Sequence, residues 1–175
     1  MGQADSCPMG GNIMMQAVIM AGGKGTRLAA LTKDEIPKPM VPVAGKPLLL
    51  WQVERLKENG ITDIIMVIGH LGDKIKEYFG DGEKFGVAIR YYEETEPLGT
   101  AGSFYYLKDM IHGDRFVMMS GDLFFDIDFQ RMIRFHEEKG AVATLFVHPN
   151  GHPFDSDLLV LDKDDKITAF DSKHN

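Results

Sequence analysis

An α/β fold built on a doubly wound, mostly parallel sheet flanked by helices is what this sequence predicts. Short apolar runs of strand character alternate with segments of helical period along the chain, and that alternation marks βαβ units. The 175 residues are 44% hydrophobic and 26% charged, a composition and length that suit one globular domain with a sizeable core. No repeat, linker or low-complexity tract interrupts the order.

Taken in order, MGQADSCPMGGNIM has neither a charged n-region nor a continuous apolar h-region. It reads as a disordered leader or tag over 1–14, with Met15 the natural start of a domain over 15–175. QAVIMA (16–21) is a buried strand. PLLLWQVERLKENG (47–60) is a helix, with Leu49, Val53 and Leu56 at helical period and Gly60 ending it. DIIMVIG (63–69) is a second buried strand, followed by a short helix around DKIKEYFG. GVAIRYYEE (86–94) alternates as a strand, TAGSFYYLKDMI (100–111) is helical, and RFVMMSGD (115–122) is another buried strand. Asp128 suits the N-cap of a helix running to Lys139 before Gly140. AVATLFVH (141–148) is a further strand, and DLLVLDKDDKITAF (157–170) a hairpin turning at Lys163-Asp164-Asp165. Ligands in such a sheet bind beyond the carboxyl ends of the strands, which directs attention to 21–27, 69–73, 94–102, 121–126 and 148–157.

Charge and composition exclude several classes. A net charge of −7 opposes nucleic-acid binding, which needs a basic surface against phosphates. No run approaches the roughly 18 apolar residues that a membrane span requires. The single cysteine, Cys7, forms no intrachain disulfide and fits a reducing, cytoplasmic compartment.

The loop after the first strand, Gly22-Gly23-Lys24-Gly25-Thr26-Arg27, is neither of two familiar glycine motifs. Counted from Gly23, the sixth position of G-x-G-x-x-G is Leu28, so the third glycine is missing. Gly45-Lys46 is followed by Pro47 where a Walker loop needs Ser or Thr. What remains is an anion nest of backbone N–H groups with Arg27 as a fork of donors for phosphate, or else a flexible loop with an exposed arginine. Lys38 lies between Pro37 and Pro39, so it is expected on a stiff, extended segment as a positioned cation. Asp122 ends a strand at the ligand-binding edge, where it is either a turn aspartate or a carboxylate able to hold Mg²⁺. His148 and His152 fall in a Pro/Gly loop rather than on one helix face, and no G-x-S-x-G or H-E-x-x-H motif occurs.

The stretch MAGGKGTRLAALT…IPKPMVPVAGKPLL resembles the signature of the sugar-1-phosphate nucleotidyltransferases, G-G-x-G-T-R-L-x-P-L-T followed by P-K-P-M-x-P-V. The likeness continues through EPLGTAG (96–102) and GD (121–122) and covers residues 15–173. Ala30 departs from the usual proline. The resemblance implies a Rossmann-like nucleotidyltransferase fold in which an NTP and a sugar 1-phosphate give an NDP-sugar and pyrophosphate, with Mg²⁺ as cofactor. It assigns Ala21, Gly22, Gly23, Gly25, Thr26 and Gly99 to the nucleotide, Arg27 to the leaving pyrophosphate, Lys38 to charge at the phosphoryl centre and Asp122 to the metal. By the resemblance, Glu94 stands where many uridylyl and thymidylyl members carry glutamine. A carboxylate accepts from guanine's two adjacent donors, so GTP is favoured and the closest likeness is to mannose-1-phosphate and heptose-1-phosphate guanylyltransferases. Glu93 competes if the register differs by one.

ITAFDSKHN is similar to the family's I-x-x-F-x-E-K-P, which puts Lys173 at the sugar-phosphate position. Ser172, His174 and Asp157 depart from the pattern, so an atypical sugar, a heptose before mannose or glucose, is expected. The family continues beyond Asn175 with more strands and a second metal carboxylate, which implies a C-terminally truncated domain. Asp126 and Asp128 more simply begin the next helix. A homo-oligomer is compatible with all of this. The rival readings are a non-catalytic nucleotide-sugar-binding or regulatory module, an inactive fragment, and a dinucleotide-binding domain, the last opposed by the missing glycine.

Overall fold

The computed structural model describes residues 15–23, 35–96, 99–149, 151 and 156–171, with only the backbone of 99–101. In chain order the elements are β1 (Gln16–Met20), a 3-10 turn (Lys38–Met40), β2 (Pro42–Val43), β3 (Lys46–Pro47), α1 (Leu48–Glu58), β4 (Asp63–Ile68), α2 (Gly72–Phe79), a second 3-10 turn (Glu83–Phe85), β5 (Ala88–Glu93), α3 (Gly99–Leu107), β6 (Phe116–Ser120), α4 (Phe129–Lys139), β7 (Leu158–Leu161) and β8 (Ile167–Asp171). They divide into two compact units, one up to Gln130 and one from Arg131.

The first unit holds a four-stranded sheet in the order β5-β4-β1-β6. Every pairing is parallel, with Met20 level with Val67 on one side and Ser120 on the other. The chain therefore steps outward from β1 to β4 and β5, then returns to the opposite side of β1 for β6. That reversal creates a switch point between the carboxyl ends of β1 and β6, where such sheets open a crevice. Ala17, Val18 and Ile19 of β1 and the whole run Ile64–Ile68 of β4 are fully buried, as continuous apolar strands covered on both faces should be. On one face Val18, Ile65 and Val67 pack with Leu107 of α3, backed by Phe104, Met110 and Ile111.

Leu49, Val53 and Leu56 of α1 are buried as the helical period requires. The helix ends at Glu58, and Gly60 takes the left-handed conformation (φ +80°) just beyond it. A small antiparallel hairpin of β2 and β3 precedes α1.

Three expectations are corrected. RFVMMSGD is a strand only over Phe116–Ser120, and it is half open rather than buried, with Phe116 and Met118 exposed and Met119 covered. The reason is its place: among the described residues it pairs with β1 alone, and an apolar run does not itself distinguish an edge from a centre. Lys38 starts a 3-10 turn instead of lying extended, because Met40 N–H and Val41 N–H close onto the carbonyls of Pro37 (2.7 Å) and Lys38 (3.2 Å).

The third correction lies in the second unit. Residues 141–148 form no strand, and Val142, Leu145, Phe146 and Val147 are exposed. β-propensity there finds no ladder partner among the described residues, and pairing is what makes a strand. The hairpin of β7 and β8 forms as expected. Its turn is held by Asp162, whose carboxylate accepts from the N–H groups of Asp164 and Lys166 at 2.9 Å each.

Candidate active site

At the switch point in the first unit lies a small open cleft. Met20, Ala21 and Gly23 line it from the end of β1, Lys38 and Pro39 from the 3-10 turn, and Ser120 and Asp122 from the end of β6. The parallel register of β1 and β6 brings two of these segments together, and the Lys38–Asp122 ion pair ties the third to them.

Gly121 allows the approach. Its N–H donates to Met20 O at 2.8 Å, and a Cβ there would lie 3.1–3.2 Å from Met20 O and Ala21. Asp122 follows directly and faces Lys38, with which it forms a half-buried ion pair. Ser120 Oγ donates to the same carboxylate at 2.6 Å. Partial burial pushes the Asp122 carboxyl up, but the hydrogen bonds from Lys38 and Ser120 and the lysine's charge outweigh it, so the group titrates below its ordinary value. Lys38 itself is fixed by its buried neighbours Pro37 and Pro39. Behind it Val41 O accepts from Leu48 N–H at 3.0 Å. Trp51 of α1 braces both flanks, its indole N–H on Val43 O (2.9 Å) and its ring edge against Phe124 (5.9 Å).

The other end of the site is set by Gly22. A Cβ on Gly22 would meet Glu94 Oε2 at 3.2 Å and Gly69 N at 3.3 Å, while one on Gly69 would meet Gly22 O at 2.8 Å. Two backbones and a carboxylate thus converge: a Cβ on Gly69 would clash with backbone, whereas at Gly22 the neighbours would have to give by a few tenths of an ångström. Glu94 N–H donates to Ile68 O at 2.8 Å, and Ser103 Oγ donates to Glu94 Oε1. Glu93 instead points to Lys76 at 2.6 Å on the exposed side. The register that left these two glutamates in competition is therefore resolved toward Glu94 as the one beside the glycine loop.

Of the expected site residues, Ala21, Gly22, Gly23, Lys38, Glu94 and Asp122 fall along this edge, and Gly99 begins α3. Gly25, Thr26, Arg27 and Lys173 lie outside the described residues, as do Ser172, His174 and His152. Asp157 precedes β7 in the second unit. Asp126 pairs with Arg55 at 3.1 Å, a surface contact. Sequence reasoning missed Ser120, Ser103 and Gln52. Only Gln52 carried a signal, a polar residue inside the apolar stripe Leu49–Val53–Leu56.

The donor set suits a hard cation in type. Magnesium takes one or two protein carboxylates and fills its shell with water and phosphate oxygen, and Asp122 offers one such carboxylate. Among the described residues no group of three or more His, Cys, Asp or Glu side chains could form an all-protein cage.

The profile of the nucleotidyl transferase family matches residues 16–173. The chain belongs to that family. It is 39% identical over 160 residues to D-glycero-alpha-D-manno-heptose 1-phosphate guanylyltransferase of Campylobacter jejuni, covering 91% of this chain and 69% of that one. It is 35% identical over 172 residues to UTP–glucose-1-phosphate uridylyltransferase of Synechocystis, covering 91% of this chain and 44% of the relative. Among solved structures it superposes with TM-score 0.81 and 28% identity on a Bacillus anthracis protein assigned as a glucose-1-phosphate thymidylyltransferase, over 91% of this chain and 64% of that one. The chain thus spans less than half of the Synechocystis relative. The α/β fold of this nucleotidyl transferase, with a parallel sheet flanked by helices, is the fold of its structural neighbour. No described helix is long and apolar enough to cross a membrane.

Proposed function

We propose that this nucleotidyl transferase chain forms the nucleotide-handling part of a sugar-1-phosphate nucleotidyltransferase of the cytoplasm. In the reaction a phosphate oxygen of the sugar 1-phosphate attacks the α-phosphorus of an NTP. The new P–O bond forms as the bond to the β-phosphate breaks, and pyrophosphate departs with that electron pair. Such transfer depends on alignment and charge stabilisation rather than covalent help from the protein. The observation that carries the reading is the meeting of the glycine segment, Lys38 and Asp122 at the switch point. Lys38 would offset charge at the phosphoryl centre and Asp122 would hold Mg²⁺, which supplies Lewis-acid charge neutralisation when bound. Backbone N–H groups of the glycine segment, with Arg27, would cradle the phosphates, and Lys173 would take the sugar phosphate.

GTP is the favoured nucleotide, and a heptose or mannose 1-phosphate the favoured acceptor. Support for guanine is Glu94, held by Ser103 against Gly22 at the sheet edge, where an acceptor-only group complements guanine's donors. The Campylobacter relative is named for this chemistry, whereas the Synechocystis one is named for UTP. A non-catalytic nucleotide-sugar-binding module is the second reading, favoured by Asp122 being the one carboxylate among the described residues that line the cleft.

The deciding experiment measures pyrophosphate release with each NTP against a panel of sugar 1-phosphates, on this chain and on a C-terminally extended form. Release with GTP and a heptose or mannose 1-phosphate is expected. No turnover by either form, with nucleotide still bound, would leave the module reading.

A further inference from the structure

We infer that Gln52 of α1 is a positioning residue for Asp122, acting through the turn that carries it, an assignment resting on the proposed reaction. Gln52 sits at the i+3 place of the stripe Leu49–Gln52–Val53–Leu56 and is 2% exposed. Its Nε2 donates to Ser120 O at 3.0 Å and to Leu123 O at 2.6 Å. Those two carbonyls bracket Asp122. Both donors of one amide are thus spent on the turn that must present a single carboxylate to the cleft.

The direction of the amide is dictated by its partners. Two carbonyl oxygens face it, and a carbonyl accepts without donating, so only the NH₂ end fits there. The consequence is that Oε1 points away and, though buried, has no hydrogen-bond partner among the described residues. A buried acceptor left unpaired loses its hydration without recompense, and an apolar residue of the same volume would avoid it. A packing role alone would have favoured an apolar residue, as at Leu49, Val53 and Leu56. The orphan is tolerated in a helix whose other inward positions obey the apolar rule, and such local violations gather where a site has to be held.

The clamp continues to the carboxylate. Ser120, whose carbonyl takes one Gln52 donor, gives its own hydroxyl to Asp122 Oδ1 at 2.6 Å. Gly121 between them is fixed from the other side by its bond to Met20 O. From α1 to the carboxylate the path is Gln52, Ser120, Asp122, and each step is a hydrogen bond. Gln52 does not line the cleft, so it acts by holding Asp122 against Lys38 rather than by touching a ligand.

Gln52→Met keeps the volume, removes the orphan and releases both carbonyls. In the full chain the Gly121 amide should then exchange with deuterium about tenfold faster or more, while β4 amides keep their protection. Unchanged exchange at Gly121 would overturn the assignment. If turnover is present, Gln52→Met should lower kcat by about ten- to a hundredfold with KM for the nucleotide little changed. The same substitution should cost nothing further in an Asp122→Asn background, followed by single turnover; a full, additive loss there would also overturn it. Should Gln52→Met fail to fold, the wild-type side chain decides: both Gln52 amide protons should exchange slowly by NMR, and exchange at the solvent rate removes the clamp. Absence of turnover in wild type counts against the proposed reaction alone, because the exchange measurements still confirm or reject the clamp.

Discussion

Two buried glutamines stand at opposite ends of the same sheet, and they are satisfied to different degrees. At the amino ends of the strands, Gln16 is 3% exposed and uses its whole amide. Nε2 donates to Asp63 Oδ2 at 2.8 Å and to Met110 O at 3.3 Å, and Oε1 accepts from His112 N–H. Arg90 completes the cluster by reaching both Asp63 oxygens at 2.9 and 3.1 Å. At the carboxyl ends, Gln52 holds two carbonyls and leaves its oxygen unpaired. The amino end has the character of a fastening, with every polar group matched. The carboxyl end leaves one buried acceptor unmatched and carries an ion pair that stands half open.

The contrast breaks most visibly at Asp122. Asp122→Asn should reduce pyrophosphate release by about 10²–10³-fold, yet lower stability by no more than about 1 kcal/mol, since the pair with Lys38 is partly solvated. A urea midpoint alongside the rate assay separates the two; a large stability loss would make the carboxyl end a fastening too. Gln16→Leu should do the reverse. It should cost about 1–3 kcal/mol in urea and leave the turnover of the folded fraction unchanged.

A sharper cut within the carboxyl end is Glu94→Gln. It should shift preference from GTP toward UTP or dTTP by about tenfold, the worth of one good discriminating contact, read as the ratio of kcat/KM values. An unchanged ratio would remove Glu94 from base selection. The smallest effect is in pH. The folded-state value of Asp122 is lowered, so its contribution to stability is present above the unfolded carboxylate value and disappears as pH falls through the folded one. The gap in urea midpoint between wild type and Asp122→Asn should therefore be constant near neutrality and close in acid. Tyr91 gives the opposite sign: burial, then Asp81, pushes its phenol up to about 12. Its contribution should hold below the unfolded value near 10 and fade as pH rises toward 12.

Much of this arrangement was legible in the residues, and the exceptions share a cause. Periodicity located β1, β4, β5 and the helices because each pattern is local. The likeness in GGKGTRL and PKPM brought out Lys38, and the GD pair brought out Asp122. What escaped depended on partners distant in sequence. Whether RFVMMS is an edge, and whether AVATLFVH is a strand at all, are decided by the neighbouring strand. The turn at Lys38 follows from its closure onto Val41, against the extended bias that Pro39 imposes. Ser103 and Ser120 look like any helix or strand serine until the carboxylates they serve are seen in place.

The chain has a single tryptophan, and it lies beside Gln52 with its indole N–H on Val43 O, Lys46 Nζ 3.5 Å above its ring and Phe124 at its edge. It touches the segment after Lys38 and the segment after Asp122 at once. The protein therefore carries its own fluorophore at the joint between the two halves of the cleft. Movement of Val43, Lys46 or Phe124 should register as a change in emission intensity or wavelength, without a label and without turnover.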